Sequence, residues 1–181
     1  MKTVLLAISA ASLLAAQPAA APVSKIFDQQ LSMIEHEFVP LAEAMPAEKF
    51  NFAPMAGEFK GVRTFSQQVS HAAAVIYAVS AAVLEEKNPS EMGPDENGPA
   101  TLKSKVDVVQ YLKDAMAYGH KAMARLTDAN LTDMVPSAFG DGKVSRIFMA
   151  NVTIWHSFDH YGQAAVYLRM NGIVPPASRP R

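Results

Sequence analysis

Four segments of this chain repeat apolar residues at alternating gaps of three and four positions, the spacing of one face of an α-helix. They cover about residues 24–45, 64–84, 102–126 and 145–170. The stripe of the first segment consists of Phe27, Leu31, Ile34, Phe38, Leu41 and Met45. The stripes of the next two consist of Phe65, Val69, Ala72, Ile76, Val79 and Val83, and of Val109, Leu112, Met116, Gly119, Met123 and Leu126. No run of alternating polar and apolar residues indicates a sheet, so we predict an all-α protein, a four-helix bundle.

Several residues near the ends of these segments carry local helix signals. Thr64 and Gln67 have the types and spacing of a capping box at a helix N-terminus, and Gly172 is suited to end the fourth helix. Gly119 lies inside the third stripe, where the missing side chain would let a neighbouring helix approach closely. Residues 88–99 are rich in Pro, Gly and acidic residues, so we expect a surface loop. Its length leaves the order of the helices open.

The N-terminus has the pattern of a secretory signal peptide. Lys2 precedes an apolar stretch over residues 3–16, and small residues follow. That stretch is too short to span a membrane. We therefore predict a signal peptide over residues 1–21, with cleavage between residues 16 and 22, and a mature bundle over residues 22–181. The mature protein is expected to be exported to the periplasm or the extracellular space.

Composition argues against several other classes of protein. The chain has 16 basic and 17 acidic residues and a net charge of −1, so we expect no nucleic-acid partner. No segment after the N-terminus approaches the roughly 18 continuous apolar residues of a membrane span. There is no cysteine, which rules out disulfides and thiolate ligands. Any metal site would therefore use His, Asp or Glu.

The fourth segment carries two stripes. Its apolar face is expected to comprise Ile147, Ile154, Phe158, Tyr161, Ala165 and Leu168. At about 100° per residue, the opposite face comprises Met149, Val152, His156, His160, Gln163 and Tyr167. Because that second face has no charged residue, we expect both faces to be buried. The two histidines would then point into a protein-lined space.

His156 and His160 are four residues apart, so on a helix their imidazoles can converge on one ion. A catalytic zinc-type site needs three protein ligands and an open position. The third ligand could be His36, His71 or His120. His71 lies at the edge of the second stripe, whereas His36 and His120 lie off their stripes beside charged residues and are expected on solvated faces. The alternative is that the histidines are packed core residues with no ion.

These residues carry a resemblance to a known family. The chain resembles the DinB/YfiT-like superfamily in one histidine early in the second helix and a His-x-x-x-His pair on the fourth. The flanking sequences are similar as well: FVPLAEAMPAEKFNFAP over residues 38–54, GVRTFSQQVSH over residues 61–71 and DHYGQAAVYLRMNGIVPPASRP over residues 159–180. The resemblance implies a four-helix bundle, a divalent metal held by His71, His156 and His160, and a homodimer.

The resemblance also implies two kinds of activity, metal-dependent hydrolysis and thiol-dependent transfer. Zinc and nickel are the natural ions for three imidazoles. Gln68 and Gln163 lie one turn from the ligands, and Tyr167 is a possible donor, so these three could orient a ligand or bind a substrate. Spacing places no carboxylate beside the triad as a general base. The alternative is a non-catalytic bundle that binds a metal or a small ligand, and the substrate is left open.

Overall fold

A computed structural model describes residues 21–180 of the chain. Its four long helices are α1 (Val23–Ala44), α2 (Phe65–Leu84), α3 (Lys105–Ala124) and α4 (Arg146–Met170). The predicted four-helix bundle is thereby confirmed. The predicted signal peptide lies outside the described residues, apart from Ala21, so it stays a prediction together with its cleavage site.

The helices are packed in the cyclic order α1, α3, α2, α4. Both α3 and α4 contact α1 and α2 extensively, so α1 lies diagonally across the bundle from α2. The connections from α1 to α2 and from α3 to α4 are about 20 residues long, which is enough to cross the end of the bundle. This order makes α2 and α4 neighbours, and those two helices carry the three histidines of interest.

The core is formed by the predicted stripes of the first three helices. Every apolar position predicted there is buried, and Phe38, Leu41 and Met116 are fully so. Burying side chains of this size contributes about 1.5–3 kcal/mol each. Gly119 fulfils its expected role, since a Cβ at this position would lie 2.9 Å from Cδ2 of Leu31. The absent side chain therefore allows α3 to approach α1 closely.

Two helices begin at capping boxes. Thr64 and Gln67 form the predicted box, with each side chain bonded to the other residue's backbone N–H. A second box, formed by Ser104 and Asp107, starts α3 at Lys105. The start predicted near residue 102 was therefore too early, because the apolar Leu102 had been included in the helix.

The fourth helix buries most of its predicted histidine face but less of its predicted apolar face. Its buried positions include Met149, Thr153, Ser157, His160, Ala164 and Leu168. The proposed apolar face is only partly buried, and Phe158 on it is 37% exposed. The hydroxyls of Thr153 and Ser157 donate to the carbonyls of Met149 and Thr153, one turn earlier. These bonds satisfy the hydroxyl groups and allow a polar stripe to enter the core.

A small β-hairpin precedes α4, although no sheet was predicted. Its strands are β1 (Met134–Pro136) and β2 (Lys143–Ser145), paired antiparallel. Three residues per strand are too few to show an alternating pattern in sequence. Arg146 follows the hairpin and donates hydrogen bonds to the carbonyl of Val83 and to Glu85, which ties the hairpin to the C-terminal end of α2.

By length and mean hydropathy, α2 is the one helix of the described residues that could cross a membrane. Within the bundle, 78% of its apolar window is buried. Its position between α3 and α4, which cover it from two sides, accounts for that apolarity.

Candidate metal centre

Three histidines meet where α2 faces α4. His71 extends from α2, and His156 and His160 extend from successive turns of α4. One ring nitrogen from each lies within 4.8 Å of the others. The side chains of His71 and His160 are buried, and His156 is partly exposed. The structure therefore brings together the three predicted ligands and separates them from His36 and His120.

Hydrogen bonds set the protonation of two of the rings. Nδ1 of His71 lies 2.9 Å from the backbone carbonyl of Glu96. Nδ1 of His160 lies 2.5 Å from Oε1 of Gln68. Both oxygens only accept, so both Nδ1 atoms donate, and each Nε2 is left with a free lone pair. A neutral imidazole with its second nitrogen held by an acceptor is the usual state of a metal-binding histidine.

The rings of His156 and His160 are close enough for one ion. Their Nε2 atoms lie 3.2 Å apart, and two nitrogens at tetrahedral angles on one zinc ion would be about 3.3 Å apart. Either a proton or a cation can bridge this pair. Nδ1 of His156 is buried and has no hydrogen-bond partner among the described residues, so packing positions that ring. The donor set fits a divalent metal.

The three rings are neutral at physiological pH. Burial lowers the pKa of His71. Burial, reinforced by the neighbouring histidines, lowers the pKa of His156 to about 4 and that of His160 to about 3. A protonated imidazole cannot bind a metal, so these shifts keep the ligands available at neutral pH.

A chain of side-chain hydrogen bonds supports His160. Gln68 accepts from this ring and donates through Nε2 to Oε1 of Gln163 over 3.0 Å. Gln163 in turn donates to a carboxylate oxygen of Asp159, also over 3.0 Å. The predicted site residue Gln68 thus contacts a histidine directly. The other predicted glutamine, Gln163, is connected to that histidine only through its hydrogen bond to Gln68. The carboxylate of Asp159 is thus directed at Gln163.

The loop between α2 and α3 reaches over the site. A single 3₁₀ turn, Pro94–Glu96, has left-handed backbone at Asp95 (φ 53°) and Glu96 (φ 59°). Such angles are unfavourable for residues other than glycine. They accompany a turn in which the carbonyl of Glu96 accepts from His71 and that of Asp95 accepts from Arg63. The loop is exposed as predicted, but it also orients a candidate ligand.

Of three other residues considered in the sequence, Tyr167 and His120 differ from their predicted places and His36 does not. The Tyr167 hydroxyl donates to the backbone carbonyl of Arg63 over 3.1 Å, so it positions the segment before α2. His36 is exposed as expected. His120 was expected on a solvated face, but it bridges Asp28 and Glu35 of α1 at 2.5 and 3.0 Å. The two carboxylates are complementary to this ring, which explains its half-buried position.

A cleft of about 460 Å³ lies on the side of Gln68 and Gln163, and no histidine is among the described residues that line it. Its lining includes Arg63, Gln67, Gln68, Asp95, Asn97 and Gln163. Because Gln68 also holds His160, the cleft reaches the residues directly behind the triad. Arg63, Asp95 and Asn97 were not predicted as site residues from the sequence. An arginine before a helix and a Pro-Asp-Glu-Asn loop have no spacing that would connect them to histidines on other helices.

The sequence match to a family decides the relationship. A family model described as the DinB superfamily matches residues 30–164. The chain belongs to the DinB superfamily. The matched range includes all three histidines, Gln68 and Gln163, and ends before Tyr167.

The solved structures agree with this family in fold. A crystal structure of a DinB-like protein from Bacillus cereus ATCC 10987 is similar with a TM-score of 0.63 and 18% sequence identity. The match covers 84% of this chain and 95% of that one. No curated protein matches the chain in sequence. At 18% identity the similarity to the solved structure shows the DinB-like fold, so any activity must be argued from the site itself.

Proposed function

We propose that this DinB-superfamily protein is a metalloenzyme that holds one divalent ion, zinc or nickel, through His71, His156 and His160. The 3.2 Å separation of the two Nε2 atoms on α4 carries the proposal. It places two imidazole nitrogens at the spacing of ligands on one ion. The acceptors on Nδ1 of His71 and His160 add support, because they direct both Nε2 lone pairs towards the cluster.

The reaction class we propose is hydrolysis of a small polar substrate. An ion held by three neutral imidazoles keeps its 2+ charge and supplies a Lewis acid for the activation of water or of a thiol. The polar cleft on the side of Gln68 and Gln163 would hold the substrate. Asp95 is the acidic residue in its lining, and we propose its carboxylate as the general base. Thiol-dependent transfer is the second possible reaction of the same centre.

We also propose that the protein is exported and forms a homodimer. The charge and apolar pattern of residues 1–21 support export. Export favours hydrolysis over thiol transfer, because low-molecular-weight thiols are kept reduced mainly in the cytosol. Exposed apolar side chains on α4, among them Trp155 and Val166, support a contact with a second copy.

A non-catalytic metal- or ligand-binding module is the alternative function. The observation in its favour is that the cluster of ligand atoms contains three imidazoles and no carboxylate. Two acidic residues contact the histidines only indirectly or at the nitrogen that faces away from the cluster. Asp159 connects to His160 through two glutamines. Glu96 places a carboxylate oxygen 4.0 Å from Nδ1 of His71, the nitrogen that its own carbonyl already occupies.

Turnover and water access distinguish the two functions. The first assay follows hydrolysis of a panel of nitrophenyl esters and anilides by zinc- and nickel-loaded protein. The His156→Ala and Asp95→Asn variants run beside it. The enzyme proposal predicts turnover that His156→Ala abolishes and Asp95→Asn lowers by about 10²-fold or more at unchanged metal content.

The second assay measures water-proton relaxation with a paramagnetic ion, manganese(II), in the site. An enzyme with an open coordination position would enhance the relaxation through exchanging water. A bound ion with no such enhancement and no turnover on the panel would contradict the enzyme and favour the binding module.

A further inference from the structure

Arg63 is the basic residue in the cleft lining. Its Nε donates to Oδ1 of Asn97 over 3.0 Å, and its Nη2 donates to the carbonyl of Asp95 over 2.9 Å. Its own carbonyl accepts from the Tyr167 hydroxyl. Side chain and backbone are therefore both held, and the guanidinium has a defined orientation in the cleft.

The positive charge of Arg63 has no ion-pair partner in the described part of the chain. Both acceptors that hold its guanidinium are neutral oxygens, an amide and a peptide carbonyl. None of the ion pairs formed among residues 21–180 includes Arg63. A guanidinium has more N–H groups than these two bonds use. Its remaining donors are available to a ligand.

The cleft also connects Arg63 to the side chains that support the histidines. Gln68 and Gln163 line the same cleft as Arg63, and Gln68 is hydrogen-bonded to His160. The cleft therefore connects a fixed positive charge to the glutamines that support the triad. Asp95 also lines the cleft, but its contact with Arg63 is made by its backbone carbonyl and not by its carboxylate.

We infer that the cleft selects substrates that carry an oxyanion, a carboxylate or a phosphoryl group, and that Arg63 binds this group. Arginine binds both groups through paired N–H donors. The group would lie at the Arg63 end of the cleft, and the remainder of the molecule would extend past Gln68 and Gln163 towards the histidines. This inference rests on the proposed function, because it names the substrate class of the same site.

The test is a titration of protein comprising residues 22–181 with succinate and, separately, with inorganic phosphate. Binding is followed by ¹H–¹⁵N NMR at the backbone amides of the cleft and at the Arg63 side-chain N–H. Protein is titrated both without metal and loaded with zinc. The variants are Arg63→Gln, Arg63→Lys and the control Lys60→Gln. Lys60 is an exposed residue three positions earlier that does not line this cleft, so the control removes the same charge from the same loop.

We expect at least one of the two anions to shift signals around Arg63 in the parent protein. Arg63→Gln should weaken that binding at least tenfold, Arg63→Lys should restore part of it, and Lys60→Gln should change it less than threefold. Stronger binding of succinate than of phosphate would assign a carboxylate, and the reverse a phosphoryl group. Circular dichroism and zinc content of each variant verify that the bundle and the metal centre are intact.

Two results would overturn the inference. One is that neither anion binds to protein that does hold zinc. The other is that Arg63→Gln binds the anions as the parent does. Neither result would contradict the metalloenzyme proposal. Absence of metal binding alongside Arg63-dependent anion binding would contradict the metalloenzyme and leave the cleft's preference for anions supported.

Discussion

Gln68 on α2 joins His160 and Gln163, two residues that lie one turn apart on α4. Its Oε1 lies 2.5 Å from Nδ1 of His160, and its Nε2 lies 3.0 Å from Oε1 of Gln163. One amide therefore connects the two helices at the level of the histidines and selects the His160 tautomer that can bind a metal. Partners of this kind commonly change metal affinity by 10–100-fold when removed.

We predict that Gln68→Leu weakens zinc binding by about 10–100-fold, because the His160 ring loses the acceptor that orients it. Gln163→Leu removes a group one bond further away, and its effect should stay below about threefold. Competition with a chromophoric chelator measures both affinities. Equal affinities of Gln68→Leu and the parent would mean that this amide does not tune the site.

Two glycines in helices should respond oppositely to substitution. Gly119→Val should lower the free energy of unfolding by about 1–3 kcal/mol. The new side chain would enter space occupied by Leu31 and Ile76, whose atoms lie 2.9 and 3.4 Å from a Cβ at this position. Gly162 on α4 has no atom within 4 Å of such a Cβ, so Gly162→Ala should raise stability by about 0.5–1 kcal/mol. Urea unfolding provides both values, and similar losses at the two positions would contradict the packing described for Gly119.

His120 should make stability depend on pH. Burial alone would lower its pKa, but the hydrogen bonds and charges of Asp28 and Glu35 outweigh burial and raise it. A pKa raised above the unfolded value of about 6.5 means that the stabilisation is complete below pH 6.5. It is lost as the pH rises through the folded pKa. Screening of the partly exposed carboxylates limits the contribution to about 0.5–1 kcal/mol.

The matched test of this prediction compares His120→Gln with His36→Gln, since His36 is an exposed histidine on α1. Urea unfolding at pH 5.5 and pH 8.5 measures the difference for each protein. From pH 5.5 to pH 8.5, the free energy of unfolding of the parent and of His36→Gln should fall relative to that of His120→Gln. The same pH dependence in all three would show that His120 does not contribute.

The homodimer proposal concerns one exposed line of α4. Phe148, Trp155 and Val166 lie within about 20° of each other around the helix, and they are 48%, 54% and 54% exposed. We predict that Trp155→Lys converts a dimer to a monomer, because it places a charge within the apolar contact. Light scattering after size exclusion measures the mass, with Met33→Lys on α1 as an exposed apolar control. A parent protein that runs as a monomer would contradict the dimer.

The sequence predicted the bundle because three of its helices bury ordinary apolar stripes. On α4 it predicted two buried faces, of which the histidine face is mostly buried and the apolar face only partly. It also missed the burial of Thr153 and Ser157, because both count as polar in a sequence pattern. In the structure they bond to their own helix and pack in the core. A rule based on side-chain polarity cannot detect a hydroxyl that is satisfied by a backbone carbonyl one turn away.

The part of the candidate site that residue types and their spacing define could be predicted from the sequence. The four-residue spacing of His156 and His160 and the family resemblance were sufficient to nominate the triad. The contact from Glu96 to His71 uses a backbone carbonyl, which every residue has, so residue type carries no information about it. Arg63 enters the cleft through the path of the loop before α2 and its bond to Asn97, and that path is a property of the folded chain.

The most direct test of the central claim is metal content, measured by mass spectrometry on protein that comprises residues 22–181 and is purified without a histidine tag. The parent, His71→Ala, His156→Ala and the control His36→Ala would be compared after incubation with zinc and nickel. The account predicts about one equivalent of metal in the parent and in His36→Ala, and a loss of the ion in both variants of the triad. No metal in the parent, or full metal content in His71→Ala and His156→Ala, would contradict it.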